Sequence, residues 1–288
     1  MACTQKCFKN RTFRPISNFI LFSVLLASTL ATFRASHAEL ILTAPPRETA
    51  EVGKKTYGPL AEYLSTLLGE KVTYVHPYSW LEYQRDVRKD VYDIVFDGPH
   101  FVSWRMEHLK HDVLVKLPGT LEFVIVANKD DSEVAKMDDL IGKYICSFPP
   151  PNLAALIIIN QFPNPVRQPE IWGVSGSFKN VYQALQDQKC SAAVFRSNFY
   201  FNVLKAEQRA GLKILFNSKP LPNQAISVSK RLGPVEKQKI IQSLSLEQGR
   251  RALENITARF SGSKTFITAK QDEYLSHNLL LEGIVFGW

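Results

Sequence analysis

Catalytic signatures are what this sequence has least of. Its 288 residues contain no Gly-x-Ser-x-Gly elbow, no phosphate-cradling glycine-rich loop, no His-x-x-x-His pair and no Cys-x-x-Cys pair. Serine, histidine and aspartate all occur, but no spacing groups them. Nucleophilic, P-loop and zinc chemistry therefore lack their residues, and we expect no enzyme, no cofactor and no metal centre. Cysteine is scarce, at four. Long apolar runs are missing beyond residue 38, and the apolar stretch 153–159 is too short for the ~20 residues a membrane span needs. Acidic residues are absent from the first 38 positions, which hold Lys6, Lys9, Arg11, Arg14 and Arg34. Taking those five from the total of 35 basic residues leaves 30 against 27 acidic, so most of the +8 net charge sits in that leader. The remainder gives no reason to expect a nucleic-acid partner.

The leader is itself informative. A basic start, an apolar core at 19–30 and Ser36-His37-Ala38 form the pattern of an export signal, with cleavage after Ala38 and a mature start at Glu39. The alternative is an uncleaved anchor, for which the apolar run is short. Neither Cys3 nor Cys7 follows the core, so no lipid anchor is expected. Cleavage would leave Cys146 and Cys190, an even count in an exported chain. The pair is either a disulfide or two buried thiols.

Beyond the leader the chain alternates strand and helix. Strands are expected at 40–44, 71–76 and 92–96, with a helix capped by Thr49 and ended by Gly69 and another at 78–88. Further strands fall at 112–116 and 121–128, on either side of Pro118-Gly119. The rhythm then restarts: strands at 143–147, 170–174, 191–195 and 213–216 alternate with helices at 152–161, 177–187 and 198–208. A second breaker, Pro220-Leu221-Pro222-Asn223, precedes a strand at 224–229 and helices at 235–244, 246–259 and 269–280. Two breakers imply a chain that crosses into a second lobe and returns. The expected fold is α/β and two-lobed: residues 39–119 plus 220–288 form lobe 1, and 120–219 form lobe 2. Each lobe is a mainly parallel sheet flanked by helices, with a ligand in the cleft between them.

Candidate contacts lie at strand ends and helix starts. Trp80 and Tyr78 offer an aromatic wall or a face for a cation; the bland reading is core packing. Gly98 supplies backbone freedom at a strand end, ahead of Pro99 at a first helical position. His100 and Phe101 follow, with His100 either an anion partner or a solvent-facing helix-start histidine. Arg47 either clamps an anion bidentately or is a plain surface arginine. Ser147, Asn152, Ser175 and Ser177 cap their helices, bind, or both. Arg196 and Ser197 stand after another strand end. The loop 163–169, with three prolines, suggests no function.

Several segments in order resemble one family. Tyr57-Gly-Pro-Leu-Ala-Glu-Tyr-Leu, Trp80 thirteen residues before Asp93, Asp93-Ile-Val-Phe-Asp-Gly-Pro and Met137-Asp-Asp-Leu-Ile-Gly-Lys are similar to segments of the periplasmic phosphate/phosphite/phosphonate solute-binding proteins. The likeness covers most of residues 39–230. It implies a type II periplasmic-binding fold and a monomeric periplasmic receptor that captures a small polar or anionic solute for an inner-membrane ABC permease. An alternative use of the same fold is a ligand-sensing module feeding a membrane kinase or cyclase. Departures fall at the ligand loops. The family's Ser-Thr-Ser-type run is here Ser147-Phe148-Pro149-Pro150-Pro151-Asn152, and three prolines remove three N–H donors. Ser175-Gly176-Ser177-Phe178 replaces a histidine segment, and Ser191 stands where the family has an acid. The ligand thus stays open between a phosphonate-like anion, another small anion, an amine and an aromatic compound.

Overall fold

The structure is a computed structural model that describes residues 39–262, 265–285 and 287–288. The leader and its expected cleavage site lie outside those residues. The chain opens with β1 (Leu40–Thr43), α1 (Ala50–Leu68), β2 (Val72–Tyr74), α2 (Trp80–Arg88), β3 (Ile94–Asp97), α3 (Pro99–Leu109) and β4 (Asp112–Lys116). It continues through β5 (Thr120–Leu121), β6 (Phe123–Asn128), β7 (Tyr144–Ser147), α4 (Leu153–Ile159), β8 (Glu170–Gly173), α5 (Phe178–Gln186), β9 (Ala192–Arg196), α6 (Ala206–Ala210) and β10 (Leu212–Asn217). It ends with β11 (Leu221–Pro222), β12 (Ala225–Val228), α7 (Pro234–Leu244), α8 (Glu247–Ala252), α9 (Glu254–Phe260) and β13 (Ile267–Thr268).

Two sheets result. The first has the order β13-β4-β12-β3-β1-β2, the second β10-β6-β9-β7-β8. In the first, β1 runs parallel to β2 and β3, and β12 returns antiparallel between β3 and β4. In the second, β7 is parallel to β8 and β9, and β6 runs against both β9 and β10. The chain passes from one sheet to the other twice, and the two passages pair as β5 with β11, Leu221 opposite Leu121. Gly119 there has φ +76°, a left-handed conformation that favours glycine. Asn223 Nδ2 donates to the Pro118 carbonyl at 2.9 Å, tying the passages together.

Local sequence explains the main elements. Thr49 Oγ1 accepts from Val52 N at 3.4 Å to start α1, and Gly69 ends it at φ +72°. Tyr57, Leu60, Ala61 and Leu64 recur at helical spacing and bury against Ile94, Phe96, Ile226 and Val228 of the sheet. Every residue of β3 is buried, as expected of a central strand covered on both faces. The second sheet packs Val124, Val126 and Phe195 against Val181 and Leu185 of α5. Cys146 of β7 and Cys190 form a disulfide across 44 residues, with Cα atoms 5.6 Å apart.

A third apolar cluster joins the two halves. Tyr83, Val95, Phe101 and Trp104 from the first share it with Leu121, Phe123, Ile125, Leu156 and Ile157 from the second. Its apolar run explains α4, in which Leu153 through Ile158 are all buried. The C-terminal segment completes the cluster with Leu280, Leu281 and Trp288, whose ring lies 5.2 Å from Phe101 and 5.2 Å from Trp104.

Five expectations need correction. Neither sheet is mainly parallel, because the returning β12 and the edge β13 make three of the five pairings in the first antiparallel, and β6 makes two of the four in the second antiparallel. The helix at 198–208 is a π-helical turn (Phe199–Val203) and the short α6, because Leu204 is extended at φ −67°, ψ 137°. The helix at 269–280 is two 3-10 turns, Gln271–Tyr274 and His277–Leu280, separated by Ser276 at φ +65°. The helix at 246–259 divides into α8 and α9 at Leu253, whose ψ is −3°. The strand at 121–128 divides at exposed Glu122.

Candidate functional site

The carboxyl ends of β1, β3, β7 and β9 carry loops that converge on a cavity of about 170 Å³. Ligands of open α/β sheets settle at such strand ends. The first half contributes Arg47 from the loop after β1, Trp80 from the start of α2, and Gly98, His100 and Phe101 from the β3–α3 turn. Gln224 and Phe260 join them from the returning chain. The second half contributes Phe148, Pro151 and Asn152 from the β7–α4 loop, Phe178 from the start of α5 and Arg196 from the end of β9. Leu121, Phe123 and Leu153 close the wall.

Two arginines, one from each half, therefore line a cavity whose lining contains no aspartate or glutamate. Arg47 is braced rather than paired. Its guanidinium lies over the Phe260 ring at 5.7 Å, and its Nη1 is buried without a hydrogen-bond partner among the described residues. Of the neighbouring carboxylates, Asp97 is engaged elsewhere and Glu48 only in part, its Oε1 being buried without a hydrogen-bond partner among the described residues. Glu48 Oε2 accepts from Arg259 at 3.0 Å, and Asp97 is gripped by Arg105 through bonds of 2.7 and 2.8 Å. Burial, and then the charge of Arg47, hold the Arg196 guanidinium below its ordinary pKa. Like charge brought together under cover is costly in the free protein, and an anion relieves that cost.

His100 sits at the seam. It is 3% exposed, and its Nε2 lies 3.2 Å from the Pro151 carbonyl. A carbonyl only accepts, so Nε2 carries the proton. Burial pushes the imidazole down to about 3, which keeps it neutral. Below it, Asp97, Arg105, Tyr83 and Ser227 form a fully buried network that fixes the end of β3. Gly98 is required for space rather than for backbone freedom. Its φ is −78°, open to any residue, but a Cβ would come within 2.8 Å of His100 Cε1. That revises the reason for a glycine there.

Of the residues singled out in the sequence, Arg47, Trp80, Gly98, His100, Phe101 and Asn152 meet at the cavity, with Arg196. Asn152 also caps α4, accepting from Ala154 N at 3.0 Å. Trp80 both lines the cavity and packs, stacked 6.1 Å from Phe101. Four candidates lie elsewhere. Tyr78 is 93% exposed. Ser147 is buried with its hydroxyl donating to the Phe148 carbonyl at 2.9 Å. Ser175 and Ser177 are exposed, because Asn180 holds the Ser175 carbonyl and the Ser177 hydroxyl on the solvent side while Phe178 takes the inward position. Sequence reasoning did not single out Phe148, Phe178, Phe123, Gln224 or Phe260. Phe148 and Phe178 sit inside loops already marked as divergent; Gln224 and Phe260 arrive from distant sequence and carry no local signal.

A two-lobed α/β chain with a cationic, aromatic-walled cavity at its converging strand ends is, in architecture, a type II periplasmic binding protein. The family described as the periplasmic substrate-binding protein of phosphonate ABC transporters matches residues 42–274, and the chain belongs to it. It is accordingly a periplasmic transport protein and not an enzyme; its partners are a small-molecule ligand and a membrane permease. Solved structures share the fold at low identity. A binding protein component of a phosphonate transporter from Pseudomonas aeruginosa is 14% identical with TM-score 0.57, over 84% of this chain and 85% of that one. PhnD1 from Prochlorococcus marinus, solved with methylphosphonate, is 15% identical with TM-score 0.60, covering 84% and 96%. A Xanthomonas citri protein solved with ATP is 12% identical with TM-score 0.66, covering 84% and 95%. No curated protein matches the chain. Among the described residues no helix is long and apolar enough to cross a membrane.

Proposed function

We propose that the chain captures a small phosphonate- or phosphate-like anion at the cavity between its lobes and presents it to the importer's permease. One observation carries this reading: Arg47 and Arg196, from opposite halves, line one cavity without an acidic residue in its lining. The Pro149-Pro150-Pro151 run offers no N–H, so the guanidinium groups take the role that loop amides play elsewhere. The cavity of about 170 Å³ suits a small solute, since larger ligands occupy pockets of ~300 Å³ and above.

The lobes in this reading are residues 39–119 with 220–288, and 120–219, hinged at the β5–β11 passages. The mature chain is a monomer that begins at Glu39 and carries no lipid. Intact-mass measurement of the exported protein tests the start. The ligand is tested by a thermal-shift screen with methylphosphonate, phosphate, amines and sugars. A ligand bound only by the folded state raises the melting temperature. Stabilisation by phosphonate or phosphate supports the proposal; stabilisation by amines or sugars alone would overturn it.

A further inference from the structure

The described residues include seven buried side-chain polar atoms without a hydrogen-bond partner, and three belong to residues lining the cavity: Arg47 Nη1, His100 Nδ1 and Gln224 Oε1. Arg47 is a donor that suits an anion. The other two are different in kind. With Nε2 committed to the Pro151 carbonyl, His100 Nδ1 bears a lone pair and no proton. Beside it lies the room left by the missing side chain of Gly98, where a Cβ would stand 3.1 Å from Nδ1. Buried acceptors without partners are costly, and a bare oxyanion would add lone-pair repulsion rather than a bond. A ligand that offers negative charge to Arg47 and a hydrogen-bond donor to His100 Nδ1 satisfies two of these three groups at once.

Phosphorus oxyanions are such ligands around neutral pH, where a phosphonate monoanion or hydrogen phosphate keeps one P–OH. Sulfonates and carboxylates carry charge but no proton there. We infer that His100 Nδ1 accepts a hydrogen bond from the P–OH of the ligand, so that the site takes protonated phosphorus oxyanions and discriminates against sulfonates and carboxylates of similar size. This rests on the anion-binding reading above and adds to it the means of selection. The acceptor exists only while the two halves are together, because Pro151 and His100 come from opposite halves and their contact fixes the tautomer. The charged groups acting on the imidazole are Asp97, which favours its protonation, and Arg47 and Arg105, which oppose it; burial outweighs them all. The histidine therefore stays neutral across the neutral range, and pH acts on the ligand.

The test is calorimetric titration of the mature chain with methylphosphonate, methanesulfonate and acetate between about pH 6 and about pH 8.5. Methylphosphonate should bind best at the acid end and weaken by about tenfold per unit once its monoanion is the minor form. Methanesulfonate and acetate should bind ~10–100-fold more weakly at pH 6, the value of one charge-assisted hydrogen bond. His100→Phe should bring methylphosphonate and methanesulfonate within about threefold of each other and flatten the pH profile. The wild-type profile decides the matter even if that variant does not fold. Methanesulfonate binding as well as methylphosphonate, or methylphosphonate affinity rising with pH, would overturn the role of His100 while leaving the anion site standing. Binding of none of the three at any pH would overturn both.

Discussion

Arg196→Gln should make the free protein more stable and the receptor worse. In the free protein the Arg196 guanidinium is half-buried at the end of β9, beside Arg47, with no acid in the cavity lining. Burial and the Arg47 charge both disfavour its charged form. Glutamine keeps much of the aliphatic stem and removes the charge. Relief of like-charge repulsion at a solvent-screened site is worth roughly 1–2 kcal/mol. A domain of this size gains about 2–4 °C in melting temperature per kcal/mol, so the rise should be about 2–8 °C. Binding moves the other way. A charge-assisted hydrogen bond contributes about 1.5–3 kcal/mol, so Kd for methylphosphonate should rise about 10–150-fold. Scanning calorimetry and titration on the same preparation read both quantities. A lower melting temperature together with a Kd within about twofold of wild type would refute the reasoning, since Arg196 would then be a structural cation.

Three further outcomes follow from the same geometry. 2-Aminoethylphosphonate should bind at least ~10-fold more weakly than methylphosphonate, because its ammonium would enter a cavity holding two arginines and no carboxylate; equal affinities in titration would contradict this. Acid should destabilise the fold through His100 and His111, held down by burial to about 3 and about 4. Their unfolded forms take up protons below about pH 6.5, so the stability is complete above that pH and is lost as pH falls toward the folded values. Each contributes about 1.4 kcal/mol per pH unit in that window; His111→Gln should lower the urea-measured slope by about one proton, and an unchanged slope would sink the assignment. Cys146→Ser should lose about 2–4 kcal/mol, the loop-closure value for a bridge spanning 44 residues; a chemical-denaturation midpoint equal to wild type would contradict it.

Much of the architecture was legible because its causes are local. Thr49 and Gly69 mark the ends of α1, the buried run at β3 marks a central strand, and Pro118-Gly119 and Pro220-Leu221-Pro222 mark the passages between sheets. The C-terminal region was less so. A helix is expected from 269 to 280, yet Tyr274 and Leu280 are buried from two separate 3-10 turns, with Ser276 left-handed between them. Tertiary packing against Trp104 and α4 decided the backbone there, and no local signal reports it. At the site, strand ends and helix starts drew attention to Arg47, Trp80, His100 and Asn152 as candidate contacts, and the structure places them around one cavity. The hydroxyl candidates lie apart from that cavity, because side-chain direction depends on a neighbour: Phe178 turns inward and Asn180 ties Ser175 and Ser177 outward. Gln224 and Phe260 reach the cavity only through the returning chain.

The most direct measurement is a crystal structure of the mature protein grown with methylphosphonate. The account predicts the phosphonate group between the two halves, within hydrogen-bond distance of both Arg47 and Arg196 and of His100 Nδ1. A phosphonate bound away from both guanidinium groups would contradict it.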